Sequence, residues 1–315
     1  MDVIRVSVQE YKQIVPDRRV FFNEPKFCEL NREKVDEVLY LVVMRDQSAH
    51  FGLILGKTGN AAACPFSAPY AYPVAIKANA KMRDYDEALE AIERFCGQNG
   101  ITQLHFTFPP LFYDEHQLSG WINTFYRSGY QVANLDLSYA LNLKKLNVSE
   151  EEYERMVPEK GRKSFRKARK KGLEIVKCET EEDYVEAYRI ITIGHAAKGF
   201  PVKLSYEQLR LTLSLVDHEA FIVKNGDASV VAEVLYHINE EIVQGIYTGT
   251  HPDYMDCNGM NLLTYYTIRY YGDRGFRILD KATATENSVP NYGLCDFKES
   301  VGCERSLKYT FRKQL

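Results

Sequence analysis

Apolar positions recur along this chain with two periods, and the alternation between them predicts the elements. Residues 2–8 read as a strand. Residues 37–44 and 51–56 are apolar runs on either side of Arg45-Asp46-Gln47-Ser48, the pattern of two strands joined by a polar turn. Ala88, Leu89, Ile92 and Phe95 fall on one face of a helix over 84–96, which Gln98-Asn99-Gly100 ends. A strand is expected at 101–108, a helix at 114–127 and, after Gly129, a strand at 130–143. Between these elements, residues 63–73 carry Pro65, Pro69 and Pro73 among Phe66, Tyr70 and Tyr72. Prolines that dense stop regular structure, so the segment reads as an extended aromatic loop.

The polar stretch 144–158 contains Ser149 followed by three glutamates, a helix-start signal, and marks the junction of two halves. A basic helix and a strand at 173–177 follow. Thr180-Glu-Glu-Asp reads as a capping box opening a helix through Ala187 and Ile191. Then come a helix at 205–215, strands at 219–224, 228–238 and 241–249, a helix at 258–271, and strands at 276–280 and 305–311. The order is β-α-α-β-β-β-α-β-α-β, and the first half is a looser version of it. The fold class expected is α/β (α+β), with two tandem domains, 1–147 and 148–315, each a mixed central sheet flanked by helices.

Composition narrows the function classes. Of 315 residues, 45% are hydrophobic and 26% charged, the balance of a globular protein. The net charge of −3 makes the whole molecule no magnet for nucleic acid or anionic membrane, so any such binding must come from a local patch. The N-terminus lacks the basic and apolar regions of a signal peptide, and no apolar run is long enough to span a bilayer, so the expected location is cytoplasmic. The seven cysteines include no CxxC pair, which indicates neither zinc nor redox chemistry; no metal is expected. No Ser-His-Asp order or Walker loop is visible either.

Three segments carry a resemblance to a known family. Arg162-Lys-Ser-Phe-Arg-Lys-Ala-Arg-Lys-Lys-Gly172-Leu-Glu-Ile resembles the basic segment of Fem-type transferases, which attach amino acids to peptidoglycan precursors. His251-Pro-Asp-Tyr-Met-Asp-Cys-Asn-Gly259-Met-Asn-Leu-Leu resembles the strand–loop–helix of the GNAT (acyl-CoA N-acyltransferase) cofactor loop. Gly293-Leu-Cys-Asp-Phe297-Lys298-Glu-Ser-Val-Gly302 is similar to a G-L-x-x-F-K-x-x-x-G stretch of Fem-like proteins. The resemblance covers residues 158–315, and the first half only by topology. It implies two tandem GNAT-like domains, the first degenerate and the second carrying the active site. The long coiled-coil insertion of the tRNA-dependent Fem enzymes is missing, which counts against tRNA as a partner.

The candidate residues follow from chemistry placed on that frame. Asn258, Gly259, Met260 and Asn261 open a helix whose N-terminal peptide groups suit a cofactor pyrophosphate; a plain Asn-Gly helix start is the blander account. In GNAT enzymes the pantetheine arm enters where two parallel strands part and a free peptide N–H polarises the thioester carbonyl; by resemblance those strands are 228–238 and 241–249 or their neighbours. Val231, Glu233, Leu235 and His237 share one face of the first of these. A buried Glu233 would suit a general base, whereas a one-sided sheet would leave it facing solvent. Tyr247, read as facing the same way as Val243 and Gly245, could protonate a leaving thiolate. Lys298, beside Phe297, could hold a developing oxyanion, or be a surface lysine beside Glu299. Eight cations between Lys160 and Lys171, Arg162 and Arg166 among them, form an arc around Phe165 that suits a phosphate-bearing ligand or a solvated face. His195 and Lys198, between two helices, could shape the acceptor site, and Tyr70 in the aromatic loop could close over a substrate, or plug a domain boundary.

The reading at this level is an N-acyltransferase that moves an acyl or aminoacyl group from a CoA thioester, acetyl-CoA first, or from aminoacyl-tRNA, to an acceptor amine by direct attack. The rival is a non-catalytic binder of nucleic acid or another polyanion whose cofactor site is lost. A parted strand pair beside Gly259 favours the enzyme; a filled sheet with a long positive groove favours the binder.

Overall fold

A computed structural model describes residues 1–16 and 20–315. The chain folds as two compact units, one of Met1–Leu137 with Ser306–Leu315, the other of Ser138–Arg305. The first half contains β1 (Asp2–Val6), α1 (Val8–Ile14), α2 (Pro25–Leu30), β2 (Glu37–Arg45), β3 (Ser48–Thr58), β4 (Ala61–Cys64), β5 (Val74–Ala75), α3 (Met82–Gln98), β6 (Gln103–Thr107), α4 (Glu115–Arg127) and β7 (Gln131–Asn142). The second contains α5 (Leu143–Leu146), α6 (Glu150–Met156), α7 (Glu159–Lys170), β8 (Glu174–Lys177), α8 (Glu181–Ala196), α9 (Tyr206–Leu213), β9 (His218–Asn225), β10 (Ala228–His237) and β11 (Ile242–Thr250). It closes with α10 (Gly259–Gly272), β12 (Ile278–Thr283), the short strands β13 (Thr285–Glu286) and β14 (Val289–Pro290), α11 (Tyr292–Ser300) and β15 (Glu304–Gln314).

Each unit has a mixed sheet flanked by helices, and the two sheets repeat one plan. In the first the order is β1-β2-β3-β4-β6-β15, with the fourth and fifth strands parallel and all other neighbours antiparallel where their pairing is described. In the second it is β8-β9-β10-β11-β12-β7, again with only the fourth and fifth parallel. The sixth strand of each sheet comes from the other half of the sequence: β15 pairs with β6, and the end of β7 pairs with β12. The units therefore divide inside β7 rather than after residue 147, and residues 306–315 join the first unit rather than the second. A long-range antiparallel pairing leaves no mark on local periodicity, so a boundary placed by polarity alone misses it.

Local signals account for most of the elements. Asp46 and Gln47 take positive φ in the turn between β2 and β3, as a tight hairpin requires. Ser149 with Glu152, Thr180 with Asp183 and Ser205 with Gln208 form capping boxes at the starts of α6, α8 and α9. The strand expected at 2–8 stops at Val6 because Ser7 and Glu10 form another such box and open α1. The helix α11 lies on the Fem-like stretch and was not assigned from periodicity. On α7 the inward stripe is Gly161, Phe165 and Ala168. A Cβ on Gly161 would overlap the Ser300 carbonyl, so this helix lies directly on the end of α11.

The dependence of the first unit on β15 has a direct consequence. Phe311 is buried with its ring centroid 5.7 Å from that of Phe108 and 5.5 Å from that of Phe125. Phe311→Ala is expected to destabilise the first unit by about 3–5 kcal/mol, read by urea unfolding. An unchanged midpoint would mean that β15 contributes little to that core.

Candidate active site

The parallel pair β11/β12 is short. Its register covers Ile242↔Ile278, Val243↔Leu279 and Gln244↔Asp280 and then ends. Beyond that point β11 continues along β10 to Thr250, while β12 stays paired with β7 on its other side, with an irregularity between Asp280 and Thr283. Side chains stabilise the turn. Ala282 has φ 61°, its N–H donates to Asp280 Oδ1 at 2.7 Å, and its carbonyl accepts from Lys298 Nζ at 3.0 Å. The same ammonium donates to the Thr283 carbonyl at 2.8 Å. Peptide groups that would otherwise continue the ladder are thus held by Asp280 and Lys298, and the two strands part. Of the strands expected to part, 228–238 and 241–249 or their neighbours, the first two form an antiparallel hairpin, and the parallel partner of β11 is its other neighbour, β12.

The first unit treats the same place differently. There β4 pairs with β6 along its whole length, from Ala61↔Gln103 to Cys64↔Phe106. The chain then leaves through residues 65–73 and returns as β5, which pairs with β3 at Phe51 and Gly52. Ala71 N–H donates to the Thr107 carbonyl at 2.9 Å, so the aromatic loop lies along the end of β6. Phe66, Tyr70 and Tyr72 are buried. Tyr70, expected to close over a substrate, is 1% exposed, packs edge-on against Phe22 and sets its hydroxyl against that of Tyr113. It is a core residue of the first unit, because three prolines force an extended loop whose rings must be covered.

Glu233 lies mid-strand on β10 and is 0% exposed. It does not face solvent, because helices cover both faces of the sheet at this strand: α8 and α10 both pack on β10. Its Oε1 is paired with the ammonium of Lys281 on β12 and accepts from Thr248 Oγ1 at 3.3 Å. Its Oε2 is buried with no hydrogen-bond partner among the described residues. The carboxylate crosses β11 at Gly245, where an added Cβ would come within 2.6 Å of Oε1. Register explains the faces. Glu233 pairs with Thr248 and Leu235 with Gly245, but Val234 pairs with Tyr247, leaving Ile246 as a bulge. That extra residue reverses the alternation, so Tyr247 faces away from Glu233 and Gly245 rather than with them. Burial raises the Tyr247 hydroxyl pKa, with Tyr188 adding to it.

Lys298 is 5% exposed, and burial lowers its pKa to about 8. Its two carbonyl contacts make it a brace for the end of β12, with the Tyr139 ring 5.6 Å away. Phe297 beside it is half-buried. Burial likewise pushes the nearby Cys303 thiol up to about 12, against the opposing effect of Lys281 and Lys298.

The other sequence candidates lie elsewhere in the second unit. Asn258 takes φ 55° without capping α10 by its side chain. An added Cβ on Gly259 would sit 3.0 Å from Val231 Cγ2, so the glycine lets the helix start rest on the sheet. Asn261 is buried, and Met260 packs against the apolar core of this unit. The basic arc is mostly matched by the chain's own carboxylates. Arg166 pairs with Glu154 at 2.6 Å, Arg169 with Glu150, Lys171 with Asp256 at 3.1 Å, Lys163 with Glu159 at 2.6 Å and Lys160 with Asp296 at 3.6 Å. Arg162, Lys167 and Lys170 have no ion pair among the described residues. His195 places Nε2 3.2 Å from the Thr248 carbonyl and Nδ1 3.3 Å from the Phe200 carbonyl, tying the end of α8 to β11. Lys198 is exposed past that helix. The structure thus brings Glu233, Lys298 and His195 to the strands that part, and leaves Tyr247 on the opposite face, residues 258–261 at a packed helix start and Arg162 and Arg166 on α7. Lys281, Thr248 and Gly245 were missed; the one signal was a charge pair, Asp280-Lys281, at the end of an apolar strand. Among the described residues no group of ligating side chains suits a metal, and no helix is long and apolar enough to cross a membrane.

No protein-family model and no curated protein matches the sequence. Solved structures do match. FemX superposes with a TM-score of 0.69 at 12% identity, over 100% of this chain and 98% of that chain. The C-terminal domain of a putative lysylphosphatidylglycerol synthetase from Agrobacterium fabrum gives 0.60 at 11%, over 98% and 93%. A tandem GNAT protein from the clavulanic acid biosynthesis pathway gives 0.55 at 10%, over 99% and 98%. The chain has the Fem-like tandem GNAT fold expected from its sequence.

The brace at Lys298 makes a pH-dependent prediction. Its folded pKa of about 8 lies below the free value of 10.5, so the unfolded chain binds more protons between those limits. The cost of burying the ammonium is present below about pH 8 and relieved as pH rises through that window. The stability of the wild type relative to Lys298→Met is therefore expected to increase from about pH 8 to about pH 10 in paired thermal melts. A difference independent of pH would show that the lysine is not buried as a cation.

Proposed function

We propose that the second unit is an N-acyltransferase whose activated acyl donor enters where β11 and β12 part. The observation that carries this reading is the contrast between the two units. In the first unit residues 65–73 lie along the end of the parallel pair, whereas in the second the pair stops at Gln244 and Asp280 with no such segment along it, beside a buried carboxylate.

The chemistry follows from the groups at that place. An amine nitrogen attacks the ester or thioester carbonyl, a C–N bond forms, and the C–O or C–S bond to the carrier breaks. Peptide N–H groups on the β12 side of β11 have no ladder partner from that strand beyond Gln244, and one of them stabilises the developing oxyanion. Glu233 takes the proton released by the amine at its unpartnered Oε2 and returns it to the leaving group. Lys298 holds the edge of the opening rather than the oxyanion, since it already donates to two carbonyls. The rival reading as a polyanion binder loses the basic helix as a free positive field, because five of the cations near α7 are paired with the chain's own carboxylates.

As donor we propose a CoA thioester or an aminoacyl-tRNA; the structural relatives include both a putative lysylphosphatidylglycerol synthetase domain and a tandem GNAT protein. Asp253 and Asp256 precede the start of α10, which weakens that helix start as a pyrophosphate site. The test is titration of acetyl-CoA and of aminoacyl-tRNA, followed by transfer to a panel of primary amines. One donor is expected to bind and to be consumed in an amine-dependent way. Glu233→Gln is expected to cut kcat by about 100-fold or more with donor binding kept. Failure of both donors to bind or react would sink the reading.

A further inference from the structure

The pair between Glu233 and Lys281 is not between neighbouring strands. Glu233 stands on β10 and Lys281 on β12, with β11 between them. Two strand spacings are about 9–10 Å, which two extended side chains can span only if nothing rises from the strand they cross. At the crossing point β11 supplies Gly245, whose missing Cβ leaves the path open. The bulge at Ile246 sets Thr248 on the same face, where its hydroxyl reaches the same carboxylate oxygen. Glycine, bulge and threonine all serve one geometry.

The result is an unequal carboxylate. Oε1 has the Lys281 ammonium and the Thr248 hydroxyl. Oε2 is buried too and has no hydrogen-bond partner among the described residues. A pair that only held the sheet together would gain by satisfying both oxygens, since a buried acceptor left without a donor is costly. Here the ammonium fixes one oxygen and leaves the other free beside the place where β11 and β12 part.

We infer that Lys281 is a positioning residue for acyl transfer, holding Glu233 across β11 so that Oε2 receives the proton of a primary-amine acceptor. This rests on the functional reading given above. It also balances charge. The pair is neutral at rest, and when Oε2 takes the proton the ammonium is left uncompensated close to the developing oxyanion, which it stabilises without touching it. Lys298 on α11 does not replace it, since it is committed to the carbonyls of Ala282 and Thr283.

The experiment compares Lys281→Met, Lys281→Arg and Gly245→Ala in the full chain, using whichever of acetyl-CoA and aminoacyl-tRNA the wild type consumes. Lys281→Met is expected to lower kcat by about 100-fold with the donor KM within about two-fold, and Lys281→Arg to recover to within about ten-fold of wild type. Gly245→Ala keeps both charges and displaces Oε1, and is expected to lower kcat with unchanged donor affinity; it decides the matter if Lys281→Met does not fold. Wild-type kcat in a folded Lys281→Met or Gly245→Ala variant overturns the inference and leaves the acyltransferase reading standing. Equal loss in the Met and Arg variants, tracking their melting temperatures, assigns Lys281 to stability alone. A wild type that consumes neither donor removes both the inference and the reading beneath it.

Discussion

The ladder between β11 and β12 stops after three residue pairs, and the properties of the second unit depend on how that interruption is kept. A parallel pair gains a hydrogen bond with each further residue, so parting it requires other partners for the freed peptide groups. Asp280 and Lys298 supply them at Ala282, each from a buried position. Burying an aspartate and a lysine is expensive, and the Lys298 pKa of about 8 records that cost on the lysine side. The expense is tolerated because it holds the end of β12 where its ladder with β11 stops.

The two units show what one sheet plan can be turned into. Both place a parallel pair fourth and fifth, and both receive their sixth strand from the other half of the sequence. In the first, an insertion rich in proline and aromatic residues breaks the fourth strand and packs its rings into the core. In the second, the fourth strand continues unbroken to Thr250 and its bulge sorts the side chains, with Thr248 and Gly245 toward the carboxylate and Tyr247 away. A single extra residue at Ile246 thus decides which groups can meet Glu233.

Charge on the second unit is organised by pairing. The basic run from Lys160 to Lys171 reads as a field in search of an anion, but five of its cations have carboxylate partners on the same chain. These are exposed pairs, worth about 0–1 kcal/mol each, so their effect is to cancel the field rather than to stabilise the fold. The buried pair of Glu233 and Lys281 is of another kind, shielded from water, and its worth lies in the orientation it imposes.

Periodicity, capping boxes and turn residues were enough to place most helices and strands, because those signals act over three or four residues. The three family-like segments were enough to name the fold and to single out Lys298, and the two-residue period of strand 228–238 singled out Glu233. The swapped sixth strands, the partner of β11, the bulge that turns Tyr247 away, the packing role of Gly259 and the existence of Lys281 as a partner were not legible. Each depends on residues far apart in the chain: Glu233 meets Lys281 across 48 positions, and Tyr70 meets Tyr113 across 43. The sequence by itself determined the elements and the fold class, since local hydrogen bonding and the period of apolar burial are written residue by residue. Only the tertiary structure decided which charges are paired and which strand edge stays open, because those depend on strand register, and register is settled by packing across the whole sheet.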